Sequence, residues 1–174
     1  PISRACDGKH IEVFRALVEA GENVDTPDSN GDTALHNASE YGFTEGVRYL
    51  VERGADVNKS STDEDGRTPL TVASYLGKEE VVRALLEAGA DVNKSTTTEE
   101  GHTPLTLASY CGKAEVVRAL LEAGADVNKR DSYGRSPLYH ALKEETWYTE
   151  QRRQAMAQIA ALLREAGAQE PQQP

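Results

Sequence analysis

The most reactive side chains in this 174-residue chain belong to four histidines and two cysteines. They are His10, His36, His102, His140, Cys6 and Cys111. Zinc ligands recur at short, regular spacings, and no such spacing links these histidines to either cysteine. His102 and Cys111 can form a nucleophile pair only if they are close, yet 111 − 102 = 9 residues separate them, about 13 Å along a helix axis. We therefore predict no enzyme activity, no catalytic residue, no metal and no cofactor.

Acidic residues cluster at Asp63-Glu64-Asp65 and at Glu99-Glu100, without the ligand spacing of a Ca²⁺-binding loop. The formal net charge of −10 disfavours nucleic acids and anionic membranes, because both are bound through clustered Lys and Arg. The clusters are predicted to be solvated loop tips, with recognition of a basic protein as the alternative. No apolar run approaches the ~20 residues of a membrane span, and free thiols suit a reducing compartment. An intracellular protein, cytoplasmic or nuclear, is predicted.

Short motifs recur along the chain at a nearly constant period. The sequence Gly-Ala-Asp-Val-Asn begins at Gly54, Gly89 and Gly124, with spacings of 89 − 54 = 35 and 124 − 89 = 35. A second motif, Gly-x-Thr/Ser-x-Leu, recurs with spacings of 35, 35 and 33 residues. It begins at Gly31, Gly66, Gly101 and Gly134. Two motifs that keep the same register indicate a repeated structural unit.

Each unit carries the signals of two short helices, which are clearest in the third copy. Thr68 can cap a helix with its hydroxyl, Pro69 suits the first helical position, and Gly77 suits the turn that ends the helix. Apolar residues at helical spacing predict a second helix with one apolar stripe, formed by Val81, Val82, Leu85 and Leu86. A single unit cannot bury that stripe, whereas stacked units share one continuous core.

These motifs resemble ankyrin repeats, whose period is about 33 residues and whose signature is Thr-Pro-Leu-His-x-Ala. The resemblance covers residues 1–168. It implies an all-α repeat solenoid of about five helix-turn-helix units joined by short β-hairpins. It also implies a non-catalytic, monomeric protein-interaction module, an adaptor or scaffold. The alternatives are a structural spacer or a segment of a longer array, and a regulatory domain of a larger enzyme or channel.

The predicted units are 1–27, which is partial, 28–62, 63–97, 98–130 and 131–168. The last contains an insertion at 143–153, and residues 169–174 are predicted to be a disordered tail. Trp147 and Tyr148 lie in the insertion and are a predicted secondary docking site. The alternative is that the insertion lengthens a helix pair that caps the stack.

In ankyrin repeats the hairpin tips and the exposed side of the first helix bind partners along a concave face. By register, the predicted binding residues here are Tyr41, Glu64, Asp65, Arg67, Tyr75, Leu76, Glu99, Glu100, His102, Tyr110, Tyr133 and Arg135, with Asp32 and Glu40 at the same places in the second unit. Tyr75 and Tyr110 recur one period apart, so we predict that they project side by side, about 10 Å apart. The alternative is that these tyrosines cover the flanks of neighbouring helices.

Two further features follow from the resemblance. Its signature histidine, which ties neighbouring loops together, appears as His36, and Thr71 and Thr106 can take over part of that hydrogen bonding in the next units. An asparagine at the end of the glycine motif can be β-hydroxylated in the family. That implies modification of Asn58, Asn93 and Asn128, with structural hydrogen bonding of the loop as the alternative.

Overall fold

A computed structural model describes residues 11–20, 23–143 and 149–171, without the side chains of Val13 and Leu17. In these ranges the chain forms nine α-helices and no β-strand. They are α1 (Ile11–Glu19), α2 (Ala34–Glu40), α3 (Thr44–Glu52), α4 (Pro69–Leu76), α5 (Glu79–Glu87), α6 (Pro104–Tyr110), α7 (Ala114–Glu122), α8 (Pro137–Leu142) and α9 (Glu150–Glu165).

The helices pack in two layers. The first-helix layer contains α2, α4, α6 and α8, each in contact with the next. The second-helix layer contains α1, α3, α5, α7 and α9, which also contact one another in that order. Each first helix packs on the second helix that follows it, so the predicted all-α repeat solenoid is confirmed. None of the described helices is both long enough and apolar enough to cross a bilayer.

The first helices begin at the predicted caps. The hydroxyl of Thr68 accepts a hydrogen bond from the Thr71 amide at 3.2 Å, and Pro69 occupies the first turn of α4. Thr103 and Ser136 cap α6 and α8 in the same way. Helix α4 ends at Gly77, whose φ of 75° is left-handed and favours glycine. These local signals explain why each first helix is only six to eight residues long.

The second helices supply most of the core. Val81, Val82 and Leu85 on α5 are fully buried, and Leu86 at the edge of the same stripe is half-buried. Val47 and Leu50 on α3, and the equivalent residues of α7, repeat this pattern. Each leucine and valine fills the space between successive units, which is why the core is continuous along the stack.

The connecting loops stack on one another through isolated backbone hydrogen bonds. One bond joins each neighbouring pair, at 2.9–3.0 Å: Thr62 to Gly31, Thr97 to Asp65 and Ser132 to Glu100. Because a single bond does not make a ladder, the predicted β-hairpins are turns without strands in the described residues. Gly66 takes a φ of 53° and lies so close to the Thr97 side chain that a Cβ would overlap it. Gly66 therefore serves loop stacking, and Gly31 also lies close to Thr62 and Asp63 of the next loop.

The last unit differs from the others. Helix α9 has 16 residues, against nine in α3, α5 and α7. It packs on α7 and α8, and buries Met156, Ile159 and Leu163. Trp147 and Tyr148 lie outside the described residues, as do Cys6 and His10. In the predicted tail, the Gln169 amide donates to Asn128 Oδ1 and Glu170 pairs with Arg164, and the extent of the tail stays a prediction.

Candidate functional site

The exposed large hydrophobic side chains of the described residues all come from one of the two helix layers and its loops, although Leu142 also lines a cavity with α9. They are Tyr75, Leu76, Tyr110, Tyr133, Tyr139 and Leu142, on first helices or on the loops before them. The described side chains of the second helices contribute none. We call the surface formed by α2, α4, α6, α8 and their preceding loops the first-helix face. Exposed aromatic and leucine side chains are costly in water, so this surface is the candidate functional site.

The predicted tyrosines differ in how they are held. Tyr75 is 43% exposed with the Arg67 guanidinium 5.8 Å from its ring centroid, and Tyr133 is 60% exposed with Arg135 at 4.6 Å. Tyr110 is 46% exposed, and its ring meets the edge of a histidine ring in the next unit. Tyr41 is instead half-buried against the core. Three of the four predicted tyrosines therefore project from the first-helix face.

An acidic cavity of about 220 Å³ opens on this face between the second and third units. It is lined by Asp32, His36, Glu40, Asp63, Arg67, Val72, Tyr75 and Leu76. Asp63, from the acidic cluster, stands outside the predicted binding set, and the fold brings it to Asp32. We call this the acidic cavity. It combines carboxylates with an apolar wall formed by Val72, Tyr75 and Leu76, which suits a cationic side chain with an apolar stem.

The electrostatics of the acidic cavity favour a cation. Partial burial, followed by the charges of Asp28, Asp63 and Glu40, raises the pKa of Asp32 to about 6, and Arg67 only partly opposes this. Burial alone would raise the pKa of Asp63, but hydrogen bonds from Ser61 and Gly66 outweigh it and lower that pKa. Arg67 is also engaged in an ion pair with Asp65. The negative charge on Asp32 is therefore poorly compensated near neutral pH.

A second cavity, of about 200 Å³, opens between the fourth and fifth units. It is lined by Glu100, His102, Tyr110, Arg135, Tyr139, His140 and Lys143. Four of these residues belong to the predicted binding set, so the fold does bring them together. The remaining predicted residues Glu64 and Glu99 are exposed loop acids.

Burial raises the pKa of the Cys111 thiol, which disfavours the thiolate that a nucleophile needs.

Two histidines and a buried aspartate meet beneath this second cavity. Asp131 Oδ2 lies 3.1 Å from His140 Nε2, 3.6 Å from His102 Nε2 and 2.7 Å from Arg135 Nε. Burial lowers the pKa of His140, and its hydrogen bond to Asp131 offsets this only in part. The sequence analysis found no ligand spacing for His140 and did not single out Asp131. Comparison with the second unit could have found them. Asp131 precedes Gly134 by three residues, as Asp28 precedes Gly31. His140 occupies the place of Asn37, whose side chain donates to Asp28.

Comparison with known proteins identifies the repeat. The family model described as "Ankyrin repeats (3 copies)" matches residues 2–96 and again residues 93–168. The chain belongs to the ankyrin repeat family. Ankyrin repeats are in general protein–protein interaction modules and typically have no catalytic role.

Individual relatives match short parts of this ankyrin repeat chain. An ankyrin repeat-containing protein of Schizosaccharomyces pombe is 42% identical over 54 residues, 31% of this chain and 26% of that protein. An ankyrin repeat protein of fowlpox virus is 34% identical over 58 residues, 33% of this chain and 31% of that protein. The E3 ubiquitin-protein ligase Ufd4 of Drosophila melanogaster is 46% identical over 52 residues, 29% of this chain and 2% of that protein. The chain thus spans less than a third of each relative.

The ankyrin signature histidine links two units, as predicted. His36 Nδ1 accepts from the Thr33 amide, so the ring proton is on Nε2, which donates to the Arg67 carbonyl at 2.8 Å. The prediction for Thr71 and Thr106 is wrong, because their hydroxyls bond to Thr68 and Thr103 of their own helices. A threonine hydroxyl is too short to reach the carbonyl that the imidazole reaches. The loops there keep the backbone bond that joins every neighbouring pair of described loops.

The asparagines of the glycine motif connect consecutive ankyrin units. Asn58 Oδ1 accepts from the Asp91 amide at 2.7 Å, and Asn93 Oδ1 accepts from the Asp126 amide at 2.8 Å. Asn128 makes the equivalent bond to Gln169. Each side chain thus satisfies a backbone amide one unit further on, which supports the structural alternative. Their β-hydroxylation stays a prediction.

Proposed function

We propose that this ankyrin repeat chain is an intracellular, monomeric adaptor or scaffold that binds a basic and partly apolar segment of another protein. The binding surface is the first-helix face. The observation that carries the proposal is the one-sided exposure of large hydrophobic side chains, all of which lie on that face in the described residues. Tyrosine provides a large contact area at low entropic cost, together with a hydroxyl that can hydrogen-bond.

The charge of the acidic cavity supports a basic partner. Asp32, Glu40 and Asp63 surround a space that can receive one lysine or arginine side chain. Partial burial and the repulsion of neighbouring carboxylates raise the pKa of Asp32, and a cation there would offset both effects. Tyr75 and Leu76 at the rim would cover the methylene stem of the same side chain. The cavity therefore suits a partner segment that has a cationic residue next to an apolar one.

The test begins with selection of binders from a displayed library of random peptides. Selected sequences should be enriched in Lys or Arg next to apolar residues, and binding should weaken with added salt. Tyr75→Ala and Tyr110→Ala should each weaken the selected peptide by more than about 1 kcal/mol at an unchanged melting temperature. Asp32→Asn should weaken it as well.

The control is Glu122→Gln, an exposed acid on α7 in the opposite layer, which should leave the affinity unchanged. Tyrosine variants that retain full affinity would contradict the proposed face and would favour the structural-spacer alternative. Variants that unfold without a selective loss of affinity would show that both tyrosines serve packing.

A further inference from the structure

The side chains of His102, Asp131 and His140 form a compact donor set at the junction of the fourth and fifth units. One ligand atom from each of the three lies within 4.8 Å of the others. Asp131 is fully buried, His140 is nearly so, and the His102 side chain is 15% exposed. Two imidazoles and one carboxylate are a ligand combination that zinc and similar divalent ions prefer.

One distance in this cluster, that from His102 to Asp131, is too long for a direct hydrogen bond but suits a shared ion. His102 Nε2 is buried without a hydrogen-bond partner, and it lies 3.6 Å from Asp131 Oδ2, beyond hydrogen-bond range. Asp131 Oδ2 and His140 Nε2 are 3.1 Å apart. A tetrahedral zinc ion with bonds of about 2.1 Å holds its ligand atoms about 3.4 Å apart, between these two values. His102 Nε2 therefore has no hydrogen-bond partner among the described residues, and its distance from Asp131 Oδ2 suits a metal ion bound by both atoms.

We propose that His102, Asp131 and His140 bind one Zn²⁺ ion through His102 Nε2, Asp131 Oδ2 and His140 Nε2. The proposal is independent of the proposed partner and does not assume catalysis. His102 and His140 line a cavity together with Glu100 and Tyr110, so water in that cavity would be available as a fourth ligand.

The surroundings of the site fit this assignment. Glu100 Oε2 lies 3.5 Å from His102 Nδ1, on the other side of the ring. A small approach would let Nδ1–H donate to Glu100 and leave the Nε2 lone pair for the metal. For His140, the ring proton moves from Nε2 to Nδ1 when the ion binds. Because Nδ1 is buried without a partner in the described structure, this shift creates no additional unsatisfied atom.

Arg135 is the competing feature. Its Nε donates to Asp131 Oδ2 at 2.7 Å, so a positive charge already sits beside the proposed ligand. A carboxylate oxygen has two lone pairs, and Oδ2 can keep this hydrogen bond while it binds a metal on the other. The charge of the guanidinium still repels the ion. Zinc affinity should therefore rise when that charge is removed.

The experiment uses the whole chain, freed of metal with a chelator, and titrates ZnCl₂ against a competing fluorescent zinc indicator. The expected result is one Zn²⁺ per chain and a higher melting temperature with zinc, because the ion binds the folded state. His102→Gln and His140→Asn should each weaken zinc more than about tenfold. Asparagine is chosen because Asn37 makes the equivalent bond to Asp28 in the second unit, so the fold should be preserved. Arg135→Gln should bind zinc several-fold more tightly.

His36→Gln is the matched control, because it removes a buried histidine outside the cluster and should leave zinc affinity unchanged. Co²⁺ should give the visible absorption of a tetrahedral site in the unaltered chain and lose it in His102→Gln. Zinc that binds with several equivalents, or with equal affinity in His102→Gln and His140→Asn, would overturn the proposal. So would unchanged or weaker affinity in Arg135→Gln. If His140→Asn does not fold, His102→Gln at the loop position decides alone.

Discussion

Asp32 illustrates how burial and neighbouring carboxylates, one of them from the next unit, change the pKa of a single side chain. Partial burial and the charges of Asp28, Asp63 and Glu40 place its pKa at about 6 in the folded chain, against an ordinary value of 3.8. The folded state therefore binds this proton more tightly than the unfolded state. The stabilising contribution of Asp32 is full below pH 3.8 and is lost as the pH rises through about 6.

This shift predicts that Asp32→Asn stabilises the protein at neutral pH. At pH 7.5 the substitution removes an uncompensated charge, and we expect about 1 kcal/mol of added stability, because solvent screens the partly exposed group. The gain should shrink as the pH falls from about 6 to 3.8 and should disappear below about pH 3, where Asp32 is protonated in both states. Urea unfolding at the two pH values measures the effect. Glu99→Gln, at an exposed loop acid, is the control, and a gain of equal size at both pH values would contradict the electrostatic explanation.

The connecting loops show how elements without regular structure are held together. Each asparagine of the glycine motif accepts a hydrogen bond from the equivalent loop of the next unit, with Asn93 Oδ1 and the Asp126 amide as the central example. In the first unit Asp25 does the same for the Asp56 amide. What these positions share is a side-chain oxygen at this reach. The amide nitrogen adds longer bonds, from Asn58 Nδ2 to the Gly89 carbonyl at 3.4 Å and from Asn128 Nδ2 to the Gly167 carbonyl at 3.3 Å.

Asn93→Ala should lower the free energy of unfolding by about 1 kcal/mol, because it leaves the Asp126 amide without its protein partner. Asn93→Asp keeps an accepting oxygen, like the one with which Asp25 accepts from the Asp56 amide. This substitution should therefore lower the free energy of unfolding by less than half as much. Both variants are measured by urea denaturation at neutral pH. Equal losses in the two variants would show that the hydrogen bond is not what the asparagine contributes.

At the scale of the whole molecule, stability depends on contacts between units. Leu35 and Leu50, which belong to the second unit, are completely buried, and their helices pack on α4 and α5 of the next unit. The helices are also short: α2 has seven residues and α3 has nine. Isolated helices below about 12 residues are marginal in water, so neighbours must supply the missing stabilisation.

Residues 28–62 alone should therefore be mostly unfolded, while the intact chain gives the circular dichroism of a helical protein with a cooperative melt. The comparison is made at equal residue concentration, with thermal melts of both. A cooperative melt of the isolated unit would show that its stripe is satisfied within the unit and that stacking is not required.

The sequence by itself determined the repeat and the helix pair in each described unit from α2 onward. These properties depend on signals close together in the chain: the Thr68 cap, Pro69, Gly77 and the apolar stripe of α5. Such signals act through local hydrogen bonds and backbone preferences, which the sequence displays directly. Tyr41 lies one place further along its unit than Tyr75 and is half-buried, because one place of drift is enough to turn a side chain toward the core. Its role in binding stays a prediction.

The tertiary structure decided which charged and imidazole groups meet. Asp32 and Asp63 lie 63 − 32 = 31 residues apart, and His102 and His140 lie 140 − 102 = 38 residues apart, yet each pair lines one cavity. Stacking places residues about one period apart beside each other, but the depth and direction of each side chain depend on how the leucines between units pack. For that reason the buried Asp131 and the poorly compensated Asp32 emerge only from the folded stack.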